Sequence, residues 1–513
     1  MTLAALPRSL LRHPYRTAFG IALVLGLAGI FQHSLWTPDE PREAQIGSEM
    51  LASGWSAMPT LGGAPFLEKP PLHPWIMAGF YRVFGISEGV ARLPALLASI
   101  GAVLVAAALA RRLAGRSAAI AAAVVLATMV GFADVGHKAV NDALLICFVG
   151  AAHLFLLEKR TLPLAGLCCG LAFLTKGPIG PILALGPPLV AGALLRDWRV
   201  LRAVPWCVLG TLLLGTPWVL ALGANHGWDK VRVCLIDNTL GRGLGGPDGK
   251  PTSFGHERGP FYYLGAAPMM LAPWILVLPA FLFSRGRKHA RFLALLVLAG
   301  VLLLSIPSGK RELYLAPLLP AAAAVVGAFL VRTHSRATLA AIACVYALAA
   351  AAVVGYALRS DLARYAPPFA IAASCFALIA WRPRVQALLA AALAFTFVAQ
   401  LVLRPVVDKQ KNMRAGVLEL SESIPAGEEL VGYDLDETTL AVVPFYSGRL
   451  LRDLRQAGDP VRVPDPRRSR HLVLMQRRSI QLPPELASLY DFEHTVELVA
   501  GRELAVYRLR EER

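Results

Sequence analysis

Charge is scarce in this sequence: charged residues make up 17% of its 513 positions, against 56% that are hydrophobic. With a positive mean hydropathy, that balance excludes an ordinary soluble globule, in which about a quarter of residues are charged. The chain reads as a polytopic membrane protein. Cysteines are few as well, seven in all, and none has metal-ligand spacing. Six of them (Cys147, Cys168, Cys169, Cys207, Cys344 and Cys375) lie in or beside apolar runs, where free cysteine behaves as a small hydrophobe. Cys234 alone sits in a polar loop, and one unpaired thiol makes no disulfide framework. Nucleotide-binding loops, zinc patterns, catalytic triads, internal repeats and low-complexity tracts are missing. The net charge of +17 does not imply nucleic acid, because much of the basic charge falls in short links between apolar segments.

What is present is a series of apolar runs. Taking a span as ~17 to 22 residues, segments fall near 18–36, 91–110, 117–133, 139–157, 162–175, 178–195, 203–222, 263–283, 290–306, 313–331, 338–356, 366–381 and 385–403. The expected fold class is mainly α, a polytopic membrane helix bundle of about thirteen transmembrane helices. Arg8, Arg12 and Arg16 precede the first run, which lacks a small-residue cleavage site and reads as an uncleaved span. Arg111 with Arg112 and Arg116, Lys159 with Arg160, Arg196 with Arg199 and Arg202, the 285–291 link, Arg332 with Arg336, and Arg382 with Arg384 alternate onto one side. The positive-inside rule makes that side cytoplasmic, with the N-terminus. Residues 37–90, 223–262 and the C-terminus then lie opposite. Trp36, Trp218 and Trp274 near span ends read as aromatic-belt residues, and Arg92 as an interfacial anchor.

The first outward loop opens Trp36-Thr37-Pro38-Asp39-Glu40-Pro41-Arg42-Glu43. Thr37 as N-cap, Pro38 at the first helical position and Glu40 closing a capping box predict a helix. Ala44, Gly47, Met50 and Leu51 keep helical spacing up to Gly54, so the helix is short, amphipathic and interfacial, with Asp39 and Glu43 sharing its other side. A second interfacial helix is expected after His73. Residues 1–404 form the expected membrane domain. Beyond them charged and turn residues return, and strands at 431–433, 471–475, 495–499 and 504–509, with helices around 437–446 and 484–489, predict a small α/β domain over 405–513.

Polar residues recur at the outward span ends: Asp39, Glu68-Lys69, Asn141-Asp142, Lys176, His256, Arg258, and Lys310-Arg311-Glu312 with Tyr314. Carboxylates at a span end are costly and point to a role. Lysines and arginines there suit a phosphate whose greasy part lies in lipid, with a carboxylate taking a proton or holding a metal. Each has a plainer reading: Lys176 and Lys310 as snorkelling lysines, His256 as a solvated loop histidine.

Asp39-Glu40-Pro41-Arg42-Glu43-Ala44, Phe66-Leu67-Glu68-Lys69-Pro70-Pro71, Ala139-Val140-Asn141-Asp142, Leu174-Thr175-Lys176-Gly177, Arg258-Gly259-Pro260-Phe261-Tyr262-Tyr263 and Ser308-Gly309-Lys310-Arg311-Glu312-Leu313-Tyr314 together resemble the ordered motifs of polyprenyl-phosphate-sugar glycosyltransferases. These are type C membrane enzymes that include lipid A aminoarabinose transferase and relatives of protein O-mannosyltransferases. The resemblance implies inverting transfer of a sugar from an undecaprenyl-phosphate carrier to a lipid, glycan or protein acceptor, at the periplasmic side of a bacterial inner membrane. It implies Asp39 and Asp142 as catalytic carboxylates, and Lys69, Arg258, Lys310 and Lys176 around the carrier phosphate. Glu40, Arg42, Glu43, Arg311 and Tyr314 would contact substrate, and Glu68 with His256 would hold a divalent metal ion. Glu43 stands where the family often has Tyr, Leu67 where it has an aromatic, and Ala143 where it has Pro. A lipid-phosphate transporter is the competing class, and it would place charges near the bilayer midplane on broken helices in paired halves.

Overall fold

The computed structural model of the chain describes residues 8–238, 257–277, 288–332, 335–360, 362–454, 469–475, 482–499 and 501–510. The apolar runs become helices, and the short links between them make sequential helices antiparallel neighbours. They are α1 (Pro14–Leu27), α2 (Asp39–Ala52), α3 (Leu72–Phe84), α4 (Glu88–Ala114), α5 (Arg116–Thr128), α6 (Asp142–Phe155), α7 (Leu162–Lys176), α8 (Ile179–Leu194), α9 (Val204–His226), α10 (Tyr262–Leu271), α11 (Lys288–Ser305), α12 (Leu319–Arg332), α13 (Arg336–Leu358), α14 (Ala366–Trp381) and α15 (Val385–Lys411). Among the described residues, seven helices are long and apolar enough to cross a membrane, and four shorter apolar helices accompany them. The fold is mainly helical, as expected. The first run behaves differently from a simple span, since α1 stops at Leu27 and residues after it form turns.

The basic links gather at one end of the bundle. Arg112 pairs with Glu158 at 2.8 Å, Arg332 donates to the Leu113 carbonyl at 2.6 Å, and Lys288 pairs with Asp197 at 2.9 Å. At the opposite end lie α2, α3, the start of α6, the end of α7 and the link after α11. The three tryptophans expected in an aromatic belt are instead enclosed by protein: Trp36 donates to the Asp408 carboxylate, Trp218 to the Ala57 carbonyl and Trp274 to the Thr128 hydroxyl. Helices α7 and α9 cross backbone against backbone. A Cβ on Gly166 would lie 2.2 Å from the Trp206 carbonyl oxygen, and one on Gly210 would lie 2.0 Å from that of Gly166. Only glycine permits this approach, which fixes the helix that ends in Lys176.

Helix α2 starts at Asp39, and its N-terminus carries no side-chain cap. The expected box on Thr37 is replaced by a reach one residue further back, Glu40 accepting from the Trp36 amide at 2.9 Å. Ala44, Gly47 and Met50 are buried, with Ala44 packing in one apolar cluster with Met77 and Tyr81 of α3. A short hairpin, β1 (Thr60–Leu61) with β2 (Ala64–Pro65), follows.

Helix α15 continues through Pro405 to Lys411, past the expected boundary at residue 404. Its Asp408 accepts from the Ser34 amide (2.8 Å), the Ser34 hydroxyl (2.6 Å) and the Trp36 indole (2.9 Å), tying its end to the entry of α2. Next come α16 (Arg414–Ser423), β3 (Leu430–Tyr433), α17 (Glu437–Ser447), β4 (Leu451–Asp453), β5 (His471–Met475), β6 (Tyr490–Val499) and β7 (Arg502–Leu509). The sheet order is β4-β3-β5-β7-β6, with β3 parallel to β4 and β5, and β7 antiparallel to β5 and β6. This unit has its own core, including Val417, Leu420, Val442, Val473, Val496 and Val506. Helix α17 lies on α2, where Ala441 and Leu440 pack with Ile46, Leu61 and Phe66.

Candidate active site

The first two acids of α2 have opposite fates. Glu40 is fully enclosed, and its two oxygens accept from Arg92 Nε (2.8 Å) and Nη2 (3.3 Å), the Ala139 amide (2.9 Å) and the Trp36 amide. Arg92, equally enclosed, adds bonds to the carbonyls of Ile30, His33 and Ser34. A buried charge pair tolerates its desolvation only when its remaining polar atoms are also satisfied, and this one meets that condition. Two expectations are corrected here. Glu40 has no surface to offer a substrate, and Arg92 is an internal tie rather than an interfacial anchor.

Asp39 faces outward from the same turn. Its Oδ1 accepts from Arg42 Nη2 at 2.9 Å and its Oδ2 from Arg311 Nη2 at 2.9 Å. Burial alone would raise its pKa, but the charges of Arg311, Lys69 and Arg42 outweigh burial, and the net direction is down. Asp39 is therefore an anion at neutral pH and a weak base. Arg42 also pairs with Glu437 of α17 at 2.7 Å and stacks over Phe66 at 5.5 Å.

One turn on, Glu43 accepts from Lys69 Nζ at 2.6 Å and from His73 Nδ1 at 3.0 Å. Burial pushes its carboxyl up, but Lys69, then His73 and Arg42, hold it well below the usual carboxylate range. Glu43, Lys69 and His73 line a narrow crevice with Ile46, Phe66 and Asn141.

Asp142 begins α6 and pairs with Lys176 at the end of α7, at 2.5 Å; the Lys176 ammonium lies 5.0 Å over the Tyr314 ring. Arg311 lies within charge range of both Asp39 and Asp142, so it links the two halves of the site. The 258–314 motifs explain how Arg311 is held. Tyr263 donates to its carbonyl at 3.2 Å, Tyr262 donates to Glu312 at 2.8 Å, and Glu257 bridges to Gly309.

Asp39, Arg42, Glu43, Lys69, Asp142, Lys176, Arg311 and Tyr314 thus come together at one end of the bundle. Lys310 and Arg258 do not join that network. The Lys310 ammonium is buried against the carbonyls of Arg258 (3.0 Å) and Pro307, so it pins the loop instead of facing a cavity. The Arg258 guanidinium is exposed and bonded to the neighbouring Glu257 carbonyl at 3.2 Å. Glu68 lies within charge range of Arg42. His256, expected beside it at a metal, falls outside the described residues. Among the described residues, no group of three or more His, Cys, Asp or Glu side chains is placed to hold a metal ion.

Residues 68–221 match the family described as dolichyl-phosphate-mannose-protein mannosyltransferase. An undecaprenyl phosphate-alpha-4-amino-4-deoxy-L-arabinose arabinosyl transferase of Edwardsiella ictaluri (strain 93-146) is 31% identical over 304 residues, covering 55% of this chain and 53% of its own. A protein of the same name from Pseudomonas aeruginosa (strain LESB58) is 30% identical over 334 residues, 61% of this chain and 58% of its own. The chain spans little more than half the length of these curated relatives. The crystal structure of ArnT from Cupriavidus metallidurans bound to undecaprenyl phosphate superposes with a TM-score of 0.78, over 95% of this chain and 97% of that one, at 22% identity. The chain has the fold of that ArnT structure. The superposition takes in the bundle that carries the six motifs and most of the terminal α/β unit.

Against that fold, three residues outside the expected site set deserve a place in it. His73 is visible in the sequence only as the start of a helix four residues after Lys69, with nothing to announce its bond to Glu43. Glu437 lies in the terminal unit, some 395 positions from Arg42, and Asn141 was legible only as a neighbour of Asp142.

Proposed function

We propose that this chain is a membrane glycosyltransferase that moves a sugar from an undecaprenyl-phosphate-type carrier to an acceptor in the bacterial cell envelope. The site end would face the periplasm and the basic links the cytoplasm, with about thirteen spans between. The observation that carries this reading is Asp39 gripped by Arg42 and Arg311, beside a crevice walled by Lys69 and Glu43, at one end of an ArnT-like bundle. A transporter would set such charges along the middle of its helices, whereas these sit at helix ends.

In the proposed reaction the acceptor oxygen attacks the anomeric carbon from the side opposite the carrier. The bond from that carbon to the phosphate oxygen breaks, its electron pair stays on the phosphate, and the anomeric configuration inverts. Lys69 and Arg311 stabilise the charge that accumulates on the departing phosphate. Were a divalent ion required, Glu68 and His256 would be the residues to hold it, and it would supply positive charge to the phosphate. The lowered pKa of Asp39 favours an acceptor that is already anionic, such as a lipid A phosphate, because a weak base does little for a neutral hydroxyl. Asp39 then orients Arg42 and Arg311 about the two reacting phosphates. A protein hydroxyl is the second reading, supported by the mannosyltransferase family match over residues 68–221.

The test is mass spectrometry of envelope lipid, glycan and protein from cells with and without the chain, repeated with Asp39→Asn. We expect a sugar-bearing species that depends on the chain and falls at least ~100-fold in the variant, while the variant still binds undecaprenyl phosphate. Undiminished transfer by Asp39→Asn would remove the assignment.

A further inference from the structure

Two polar atoms in the walls of the crevice have no hydrogen-bond partner among the described residues: Nε2 of His73 and Oδ1 of Asn141. Both side chains are 1% exposed. Polar atoms this deep are rarely left unmatched unless a ligand or ordered water completes them.

Their chemistry can be read from the bonds on their other sides. Asn141 donates through Nδ2 to the Thr175 carbonyl at 3.3 Å, so Oδ1 points away; a flipped amide would set two carbonyl oxygens against each other. His73 places Nδ1 against Glu43 Oε2 at 3.0 Å. A carboxylate only accepts, so Nδ1 carries the proton, and in the neutral ring Nε2 offers a lone pair. With the His73 ring neutral, the wall presents two acceptors. An anionic phosphate ester also has only acceptors and does not match them. Hydroxyl and ammonium groups do. The Lys69 ammonium on the same crevice has N–H bonds beyond the one given to Glu43, and it suits the phosphate.

We propose that His73 and Asn141 form a subsite that reads the hydroxyl or amino groups of the transferred sugar, while Lys69 beside them takes the carrier phosphate. This inference rests on the glycosyltransferase reading and adds a division of labour within its site. Glu43 is a positioning residue for both halves, because one oxygen orients Lys69 and the other orients His73.

The test compares two classes of lipid on the full-length purified protein in nanodiscs. One is bare undecaprenyl phosphate; the other is the same lipid bearing 4-amino-4-deoxy-L-arabinose or, in parallel, mannose. Asn141→Ala removes one acceptor. His73→Asn keeps an amide donor for Glu43 while removing Nε2. For each variant we expect affinity for the preferred sugar-bearing lipid to fall about 10-fold, with affinity for the bare carrier changed less than ~2-fold by the same reasoning. Retained binding of the bare carrier also reports an intact fold. Equal losses for both lipids, or no loss for either, would overturn the subsite and leave the transferase reading standing. So would a wild type that holds every sugar-bearing lipid no better than the bare one. A wild type that binds neither class sinks the transferase reading and the subsite together.

Discussion

The two ends of the bundle use similar charges in different ways. At the basic end, the Arg112 and Glu158 side chains are 32% and 55% exposed, and those of Lys288 and Asp197 are 60% and 20% exposed. Pairs in that setting contribute little to stability. At the site end, Arg92 and Glu40 are both fully enclosed, and Glu43 is 4% exposed. Charges held that deep are expensive to desolvate and destructive to break. The difference teaches that the basic end tolerates loss of any one charge, whereas the site end is a linked set in which each charge fixes the next.

Removing Arg92 should break this contrast most severely. Arg92→Ala leaves Glu40 buried without its counter-charge, and we expect a loss of about 3–5 kcal/mol, measured as a lowered thermal midpoint in detergent. A midpoint close to wild type would show that water reaches Glu40 and that the pair is not a tie. Next in size is Glu43→Gln, which deletes an anion serving Lys69 and His73 and should cost roughly 2 kcal/mol at neutral pH. Because the folded-state pKa of Glu43 is depressed, its stabilising contribution is complete above the ordinary value of 4.5 and fades as pH falls from there toward the lower folded value. Thermal midpoints recorded from pH 7 down to 3 should therefore keep a constant gap between wild type and Glu43→Gln until about the ordinary value of 4.5 and narrow below it, without closing; a gap that stays constant to the acid end would contradict the assignment.

Glu437→Ala is expected to be milder, at most about 1 kcal/mol, since the Glu437 side chain is 52% exposed. On the proposed transferase reading, its more telling readout is transfer rate, which should drop several-fold as Arg42 loses one of its anchors, with carrier binding preserved. Smallest is Arg112→Ala, within about 0.5 kcal/mol by thermal denaturation. A change there as large as that of Arg92→Ala would erase the distinction between the two ends.

How far the chain could be read in advance follows from the same physics. Charges at the ends of apolar runs stand out because so little else there is polar, and this brought Asp39, Lys69, Asp142, Lys176 and Arg311 into view together. The sequence could not separate Asp39 from Glu40. The two are adjacent, and only a partner 52 residues on, with an amide at residue 139, decides which is sealed. Lys310 misled for a related reason, since a lysine's long stem lets its ammonium turn toward carbonyls of its own loop. In the terminal unit four strands were legible from β-branched alternation. The three-residue β4 and helix α16 were not, being too short or too polar for a periodic signal to rise above their surroundings. The run at 18–36 looked like one span because apolar composition alone does not distinguish a helix from the buried turns at its end.

The bond from Glu437 to Arg42 also bears on biogenesis. Chains are made from the N-terminus and their domains form in that order, so the cluster around Asp39 is threaded into the membrane long before its last neighbour exists. Until the ribosome has finished α17, Arg42 lacks one of its anchors. The charge network around Asp39 is therefore completed only when nearly the whole polypeptide has emerged.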